Sequence, residues 1–255
     1  MRVALISDIH ANLPALEAVL DDIERRPEIE TTYHLGDLVG YAPWPNETVE
    51  LLKSRGITGV AGNYDSTVAT DYKHCGCKFE DPTQEELSHL SFEWTKKHVS
   101  SGTKEFLGAL PFRLDVRVGG GHESGSTLIL VHGTPTLNTV YWTEDRPAAF
   151  CTKMAEIAGA RTADIIAFGH THKPWSRVVD GIRFVNTGSV GRPKDGDPRA
   201  GYVIATLDGA QSRIEFMRVA YDVDRAVRGI EASELSKEFG DYLRTGGDTK
   251  HDGGG

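Results

Sequence analysis

Five short polar motifs follow apolar, strand-like runs in this chain, and their residue types are those that hold a divalent ion. Asp8-Ile9-His10 follows MRVALIS, Gly36-Asp37 follows TTYHL, Gly62-Asn63 follows ITGVA, His132-Gly133 follows TLILV, and His170-Thr171-His172 follows IIAF-Gly169. Together they offer two carboxylates, four imidazoles and one amide oxygen, with no thiolate. Such mixed oxygen and nitrogen donors suit Mn, Fe, Zn or Ni better than the all-oxygen sites made for Ca or Mg. In an extended segment alternate side chains share a face, so Asp8 and His10, and again His170 and His172, can point at one site. Two adjacent ions need a bridging carboxylate, and Asp37 is the natural choice because it lies in the centre of the parallel half. A pair of this kind turns a bridging water into a nucleophile and clamps phosphoryl oxygens for in-line displacement. The reaction implied is hydrolysis of a phosphate ester. Taken alone, His10 or His132 reads as an ordinary hydrogen-bonded histidine; the complete ordered set reverses that reading.

The elements that must position these residues can be followed along the chain. Asn12 before Pro14 starts a helix toward Arg25, with Leu13, Leu16, Leu20 and Ile23 at helical spacing. A second unit follows: strand to Leu35, loop at Asp37, helix from about Asn46, then a strand from Ile57 to Ala61. This alternation predicts a parallel βαβ sheet, whose ligands gather beyond the carboxyl ends of its strands. Ser66 to Pro82 reads as a loop. Thr83 with Glu86 forms a capping box for a helix whose face is Leu87, Leu90, Trp94 and His98, ending at Gly102. FRLDVRV and TLILV flank a turn-rich connection, GGGHESGS. A helix over about 146–160 precedes IIAF, and IRFVN, YVIATLD and RIEFMRV follow, with a hairpin at Asp208-Gly209. The second half thus reads as mostly antiparallel. We place one domain over 1–220, a helical extension over 221–245 and a disordered tail over 246–255.

Composition narrows the function classes. At 255 residues, one large α/β domain can bury a sizeable core. The formal charge of -9 carries no basic stripe, so no duplex nucleic-acid footprint is present. A small phosphoester or nucleotide substrate fits, because bound metal can supply the positive charge that the surface lacks. The first apolar run is too short for a secretory signal and no run approaches a membrane span, so the expected location is cytoplasmic. Three cysteines cannot form a fully paired disulfide framework, in keeping with a reducing compartment. Association with a second copy of the chain is left open.

The order Asp-x-His, Gly-Asp, Gly-Asn, His-Gly, Gly-His-Thr-His, from Asp8 to His172, resembles the calcineurin-like metallophosphoesterases, and Asn186 to Gly191 resembles a segment of their small bacterial and archaeal branch. The resemblance implies a four-layer αββα sandwich of two mixed β-sheets. It also implies two divalent metal ions per chain, manganese favoured for activity. Asp8, His10 and His172 would hold one, Asn63, His132 and His170 the other, and Asp37 would bridge them. Catalytic roles would then fall on Asp37, Asn63, Tyr64, Asp65 and His132. Asn12 resembles a position near the substrate phosphate, although here it also serves as a helix cap. Arg192 is positioned in sequence to reach a phosphate oxygen, with a solvated surface arginine as the alternative.

One departure stands out. The family has Gly-Asn-His-Asp/Glu where this chain has Gly62-Asn63-Tyr64-Asp65, so the histidine that protonates the leaving group or stabilises the transition state is missing. A phenol is a poorer acid at neutral pH than imidazole. The expected preference is therefore for phosphodiesters or activated esters over alkyl monoesters. The rival reading is a scaffold that keeps the fold without catalysis, as the retromer subunit with this fold is thought to do. A dimetal hydrolase of the β-lactamase type would need His-x-His-x-Asp-His, which the chain lacks. Elsewhere, Tyr41, Trp44, Tyr141 and Trp142 are candidates for stacking on a base, with loop packing the alternative. His34 reads as a core residue and Cys151 as buried and inert. His74, Cys75 and Cys77 read as loop residues without a role, or as a lid.

Overall fold

The first strand, β1 (Arg2–Ile6), is apolar on both faces and shows why the fold has layers. Val3 and Leu5 point into a core shared by two sheets, whereas Ala4 and Ile6 point into a second core beneath helices. Period-two alternation with both faces buried requires a cover on each side. The structure, a computed structural model, describes residues 1–77, 82–119, 125–209 and 211–247.

Sheet A has the order β10-β9-β1-β2-β3, formed by β2 (Thr31–His34), β3 (Thr58–Gly59), β9 (Ala200–Asp208) and β10 (Gln211–Val219) around β1. The β1-β2 and β2-β3 pairs are parallel; β9 pairs antiparallel with both β1 and β10. Sheet B has the order β4-β5-β6-β8-β7, from β4 (Leu114–Val118), β5 (Ser126–Leu130), β6 (Ile165–Phe168), β7 (Trp175–Val179) and β8 (Ile182–Asn186). Leu128, Leu130, Ile165, Ala167 and Val185 meet Val3, Leu5, Val203 and Ala205 in the inner core. Helix α6 (Ala148–Ala158) covers sheet B with Cys151, Met154 and Ala155. Sheet A's outer face is covered by α1 (Leu13–Glu24), α2 (Pro45–Ser54), α3 (Asn63–Ala69), α4 (Pro82–His98), α5 (Ser101–Ala109), α7 (Val223–Glu231) and α8 (Glu238–Thr245). The result is the expected αββα sandwich.

Several sequence expectations need correction. The loop read from Ser66 overlaps α3, a short helix whose first turn is held by Asp65 accepting from the Gly62 N–H. The helix expected to reach Gly102 breaks at Ser100, which caps α5 by accepting from the Thr103 N–H. The buried face of α4 is Ser88, Ser91, Phe92 and Thr95, while Leu90 is half exposed. Small hydroxyl residues line it because α4 packs against the tyrosines of the site. The second half is not mostly antiparallel, since β5-β6 and β6-β8 are parallel pairs at the centre of sheet B. Strand β7 was not expected; its hairpin to β8 turns at Asp180 and Gly181, both at positive φ, the conformation favoured in two-residue turns. Most of the GGGHESGS connection and residues 248–255 of the tail lie outside the described residues.

Candidate metal centre

All seven candidate ligands lie past the carboxyl ends of strands: Asp8 and His10 after β1, Asp37 after β2, Asn63 after the edge strand β3, His132 after β5, and His170 and His172 after β6. They do not reach the site by extended alternation. Asp8, His10, Asp37, His170 and His172 all have left-handed backbone, with φ of 51, 50, 54, 67 and 61°. Each such residue costs about 1–2 kcal/mol outside glycine, and persists only where its surroundings dictate it. Here the loops lock one another. The N–H groups of Asp8 and His10 donate to Gly36 O and Asp37 O, and those of Val190 and Gly191 donate to Ser7 O and Asp8 O. Glycine is required where loops touch: a Cβ on Gly62 would sit 2.0 Å from Asp37 Oδ1, and one on Gly169 1.9 Å from Ser7 Oγ.

Carbonyl groups orient three of the imidazoles. Nδ1 of His10 donates to Val39 O (3.1 Å), that of His132 to Leu35 O (2.7 Å), and that of His172 to Arg192 O (2.5 Å). Each Nε2 is therefore left with a lone pair facing inward. Nε2 of His10 lies 3.2 Å from Nε2 of His172, and Nε2 of His132 lies 3.0 Å from Asn63 Oδ1 and 3.2 Å from His170 Nδ1. The Asn63 amide nitrogen donates to Cys75 O, which leaves Oδ1 to face His132. With each ring neutral, electron pairs thus point at one another in both groups; in metal-free protein at neutral pH a proton on His132, which Asp37 favours, stands where a cation would. Buried Asp8 Oδ1 and His170 Nε2 have no hydrogen-bond partner among the described residues. Asp8 Oδ1 is 3.3 Å from His172 Nε2, and Asp37 Oδ2 lies 3.8 Å from His10 Nε2 and 3.5 Å from His132 Nε2. The donors form two triads, Asp8-His10-His172 and Asp37-His132-His170, each with its ligand atoms within 4.8 Å of one another. A cation at each triad resolves the facing lone pairs, so the residues fit two ions.

The electrostatics agree. Burial works against the Asp37 carboxylate, yet His132, hydrogen-bonded to it, holds it ionised well below the ordinary range. Burial likewise opposes the His132 imidazolium, but Asp37 raises that group to about 9. Burial and a neighbouring imidazole push His10 and His170 down to about 3, and burial takes His34 to about 4. A histidine with a lowered folded pKa contributes fully above its unfolded value near 6.5, and that stability is lost as pH falls from there toward the folded value. His132 runs the other way, its contribution present below 6.5 and lost as pH rises through about 9. Metal-free protein is therefore expected to be most stable near neutral pH. Below 6 it should lose up to ~1.4 kcal/mol per pH unit for each depressed histidine. Urea titrations in chelator at pH 7 and 5 check this, and an unchanged midpoint refutes it.

The remaining site residues divide. Asp65 does not face the donors. Its oxygens accept from the N–H groups of Asp37 (2.8 Å), Leu38 (2.8 Å) and Gly62 (2.9 Å), so it is a positioning residue that ties the β2 loop to α3. Tyr64 is buried, and its hydroxyl donates to Ser88 O at 3.2 Å; the ring walls the site edge-on to His10 at 5.7 Å. Burial pushes that phenol well above its usual value, so the proton donor expected there is engaged elsewhere. Asn12 caps α1 through Oδ1 and donates to Gly191 O and Tyr221 Oη, which uses the side chain fully for structure. Arg192 is buried in the site, its guanidinium between the rings of Tyr41 (4.0 Å) and Tyr242 (4.1 Å).

Of the aromatic candidates, Tyr41 packs edge-on to His10 at 5.0 Å and Tyr141 stacks on His170 at 4.4 Å. Trp44 instead packs on Gly229 of α7, and Trp142 is stacked on Phe168 in the outer core of sheet B. His34 is a core residue, as expected. The Cys75-Cys77 loop does have a role, since Cys75 O and Cys77 Sγ receive the Asn63 amide. Cys151 is buried as expected, and Arg177 donates to its sulfur at 2.7 Å. Sequence reasoning missed Lys194, which lines the cleft with His10, Asp37, His170, His172 and Arg192. The available signal was its place two residues after Arg192 on the same turn.

Fold and donor set together define a metal-dependent phosphoesterase architecture. Residues 1–210 match the calcineurin-like phosphoesterase superfamily domain, and the chain belongs to that family. An uncharacterized protein of Methanocaldococcus jannaschii is 30% identical, the alignment covering 96% of this chain and 98% of its own. A metallophosphoesterase from Sphaerobacter thermophilus is 28% identical with a TM-score of 0.74, covering 96% of this chain and 99% of its own. A hypothetical protein of Pyrococcus horikoshii has the same fold at 23% identity, with a TM-score of 0.80 and coverage of 96% and 98%. Among the described residues no helix is long and apolar enough to cross a membrane.

Proposed function

We propose that this protein is a dinuclear phosphoesterase acting on small phosphodiesters or nucleotide-type substrates, with manganese as the favoured metal, in the cytoplasm. The observation that carries the reading is the set of imidazole and amide lone pairs that face one another across two triads. Asp8, His10 and His172 would hold one ion and Asn63, His132 and His170 the other, with Asp37 Oδ2 facing both groups. Bound there, the ions would supply an activated water and positive charge for phosphoryl oxygens. The chain's own residues do the rest. Arg192, fixed between two tyrosine rings, offers guanidinium N–H groups to a phosphate oxygen. The rings of Tyr41 and Tyr141 wall the cleft against His10 and His170. No imidazole stands at position 64, and the Tyr64 hydroxyl is committed to Ser88, so the leaving group must depart with little help. That favours aryl diesters and other activated esters over alkyl monoesters. The three free thiols support a reducing compartment.

The test begins with metal analysis of protein purified without chelator, followed by a screen of aryl diesters, dinucleotides and cyclic nucleotides. Two ions per chain and manganese-stimulated hydrolysis of bis(4-nitrophenyl) phosphate are expected. Fewer than two ions in excess metal, or no hydrolysis across the screen, refutes the reading. Tyr64→His should raise alkyl monoester rates by roughly 10²-fold, the lower end of general acid catalysis, and aryl diester rates far less. Equal effects on both substrates would remove the role assigned to position 64.

A further inference from the structure

Two cations stand in the cleft without an ion-pair partner among the described residues. Arg192 is only 5% exposed, and its guanidinium contacts rings but no carboxylate; Lys194 is half-buried and forms no ion pair or side-chain hydrogen bond among the described residues. Both line the same cleft as His10, Asp37, His170 and His172. Exposed arginines of this chain behave differently: Arg199, Arg213 and Arg225 each sit on a carboxylate. A buried charge left unpaired is costly unless a ligand completes it.

The local charge balance says what that ligand is. Asp8 and Asp37 are the carboxylates among the metal-ligand candidates, and their two negative charges only equal those of Arg192 and Lys194, with no ion pair joining them among the described residues. Any divalent ions then add charge that nothing in the cleft opposes. A single diester phosphate carries one negative charge and cannot answer both the ions and the cation pair. Burial and the nearby Arg192 lower Lys194 to about 8, which still leaves it a cation at neutral pH.

We infer that Arg192 and Lys194 form a second anion subsite beside the metal centre, selecting substrates that carry a further phosphate next to the scissile one, as in diphosphate-linked nucleotides. Arg192 is held rigid between Tyr41 and Tyr242, so it supplies geometry; Lys194, on a flexible stem, supplies a point charge. The inference rests on the phosphoesterase reading for its substrate, but not for its binding test.

The test compares AMP with ADP, probes that differ by one phosphate, by calorimetric titration of manganese-saturated full-length protein at fixed free manganese. Wild type should bind ADP at least about tenfold more tightly, the worth of one charge-assisted hydrogen bond. Lys194→Met should lose most of that ratio and Lys194→Arg should keep it, with thermal melts confirming that both variants fold. In hydrolysis, Lys194→Met should cost a diphosphate-linked dinucleotide at least about ten times more in kcat/KM than bis(4-nitrophenyl) phosphate, chiefly through KM. Equal affinities of wild type for AMP and ADP, or equal loss of both in Lys194→Met, overturn the inference. Should the protein hydrolyse no phosphoester yet keep the ADP preference and lose it in Lys194→Met, the anion subsite stands and the phosphoesterase reading falls.

Discussion

Asp37→Asn is expected to lower turnover on the order of 10³-fold or more while leaving the fold intact. Asp37 Oδ2 is the one oxygen facing a histidine from each triad, at 3.8 Å from His10 and 3.5 Å from His132, and Oδ1 accepts the Tyr64 N–H at 2.9 Å. An amide of the same shape cannot fill both roles. Turned one way, its NH₂ faces the metal triads; turned the other, it opposes the Tyr64 N–H. Metal ions supply several kcal/mol of charge stabilisation in such reactions, and each 1.4 kcal/mol is about tenfold in rate. The fold should survive because Asp65 accepts three of the neighbouring backbone N–H groups, whereas Asp37 accepts one. Measuring kcat/KM, metal stoichiometry and circular dichroism on one preparation checks this. Turnover within about tenfold of wild type would show that Asp37 does not bridge. The same variant separates enzyme from scaffold, since a scaffold would keep its partner binding when the bridge is lost.

Metal loading should raise the melting temperature by roughly 10–20 °C. Each site that binds only the folded chain adds about 2.7 kcal/mol when free metal exceeds Kd a hundredfold, so two add about 5 kcal/mol. In domains of this size each kcal/mol moves the melting point by about 2–4 °C. The donors are already in place with their lone pairs opposed, so binding also removes a repulsion instead of building a site. Calorimetry in chelator and in excess manganese gives the shift. Asp8→Asn should lose about half, because it disables one triad and spares the other. A shift that survives intact in both Asp8→Asn and Asp37→Asn would place the ions elsewhere.

The ligands were legible in the sequence because each follows a strand-like run, although the fold sets the first of them, Asp8 and His10, against the last, His172. The two mixed sheets were legible as an expectation of the family resemblance, and the β1 alternation that demands two covers supports them. What escaped depended on tertiary contacts. The loop from Ser66 hid α3 because Thr67 and Val68 are poor helix formers, and the helix exists through Asp65 and its burial against Phe92. The face of α4 was misread because its leucines looked apolar enough to be core. Only the presence of Tyr41 and Tyr64 opposite explains why Ser88 and Ser91 are buried there. Asp65 read as catalytic from its motif, and no pattern in one chain distinguishes a carboxylate that grips backbone from one that faces an ion. Lys194 carried no motif at all; it became visible once the Gly191 turn was seen to bring it over the histidines.

The placement of β9 and α8 has a consequence for synthesis. Asp8 is made before every other ligand, yet β1 stays open on one side until residues 200–208 arrive to pair with it, and Arg192 lacks one of its two rings until Tyr242 is made. Phe239 of the same helix closes on Tyr41 at 5.5 Å, beyond the family match that ends at residue 210. A growing chain on the ribosome therefore carries every metal ligand for roughly 4–14 s before Tyr242 is made, at the usual ~5–20 residues per second. Tight metal capture is expected only once β9 and α8 are in place, and a nascent chain stalled before β9 should bind no ion tightly.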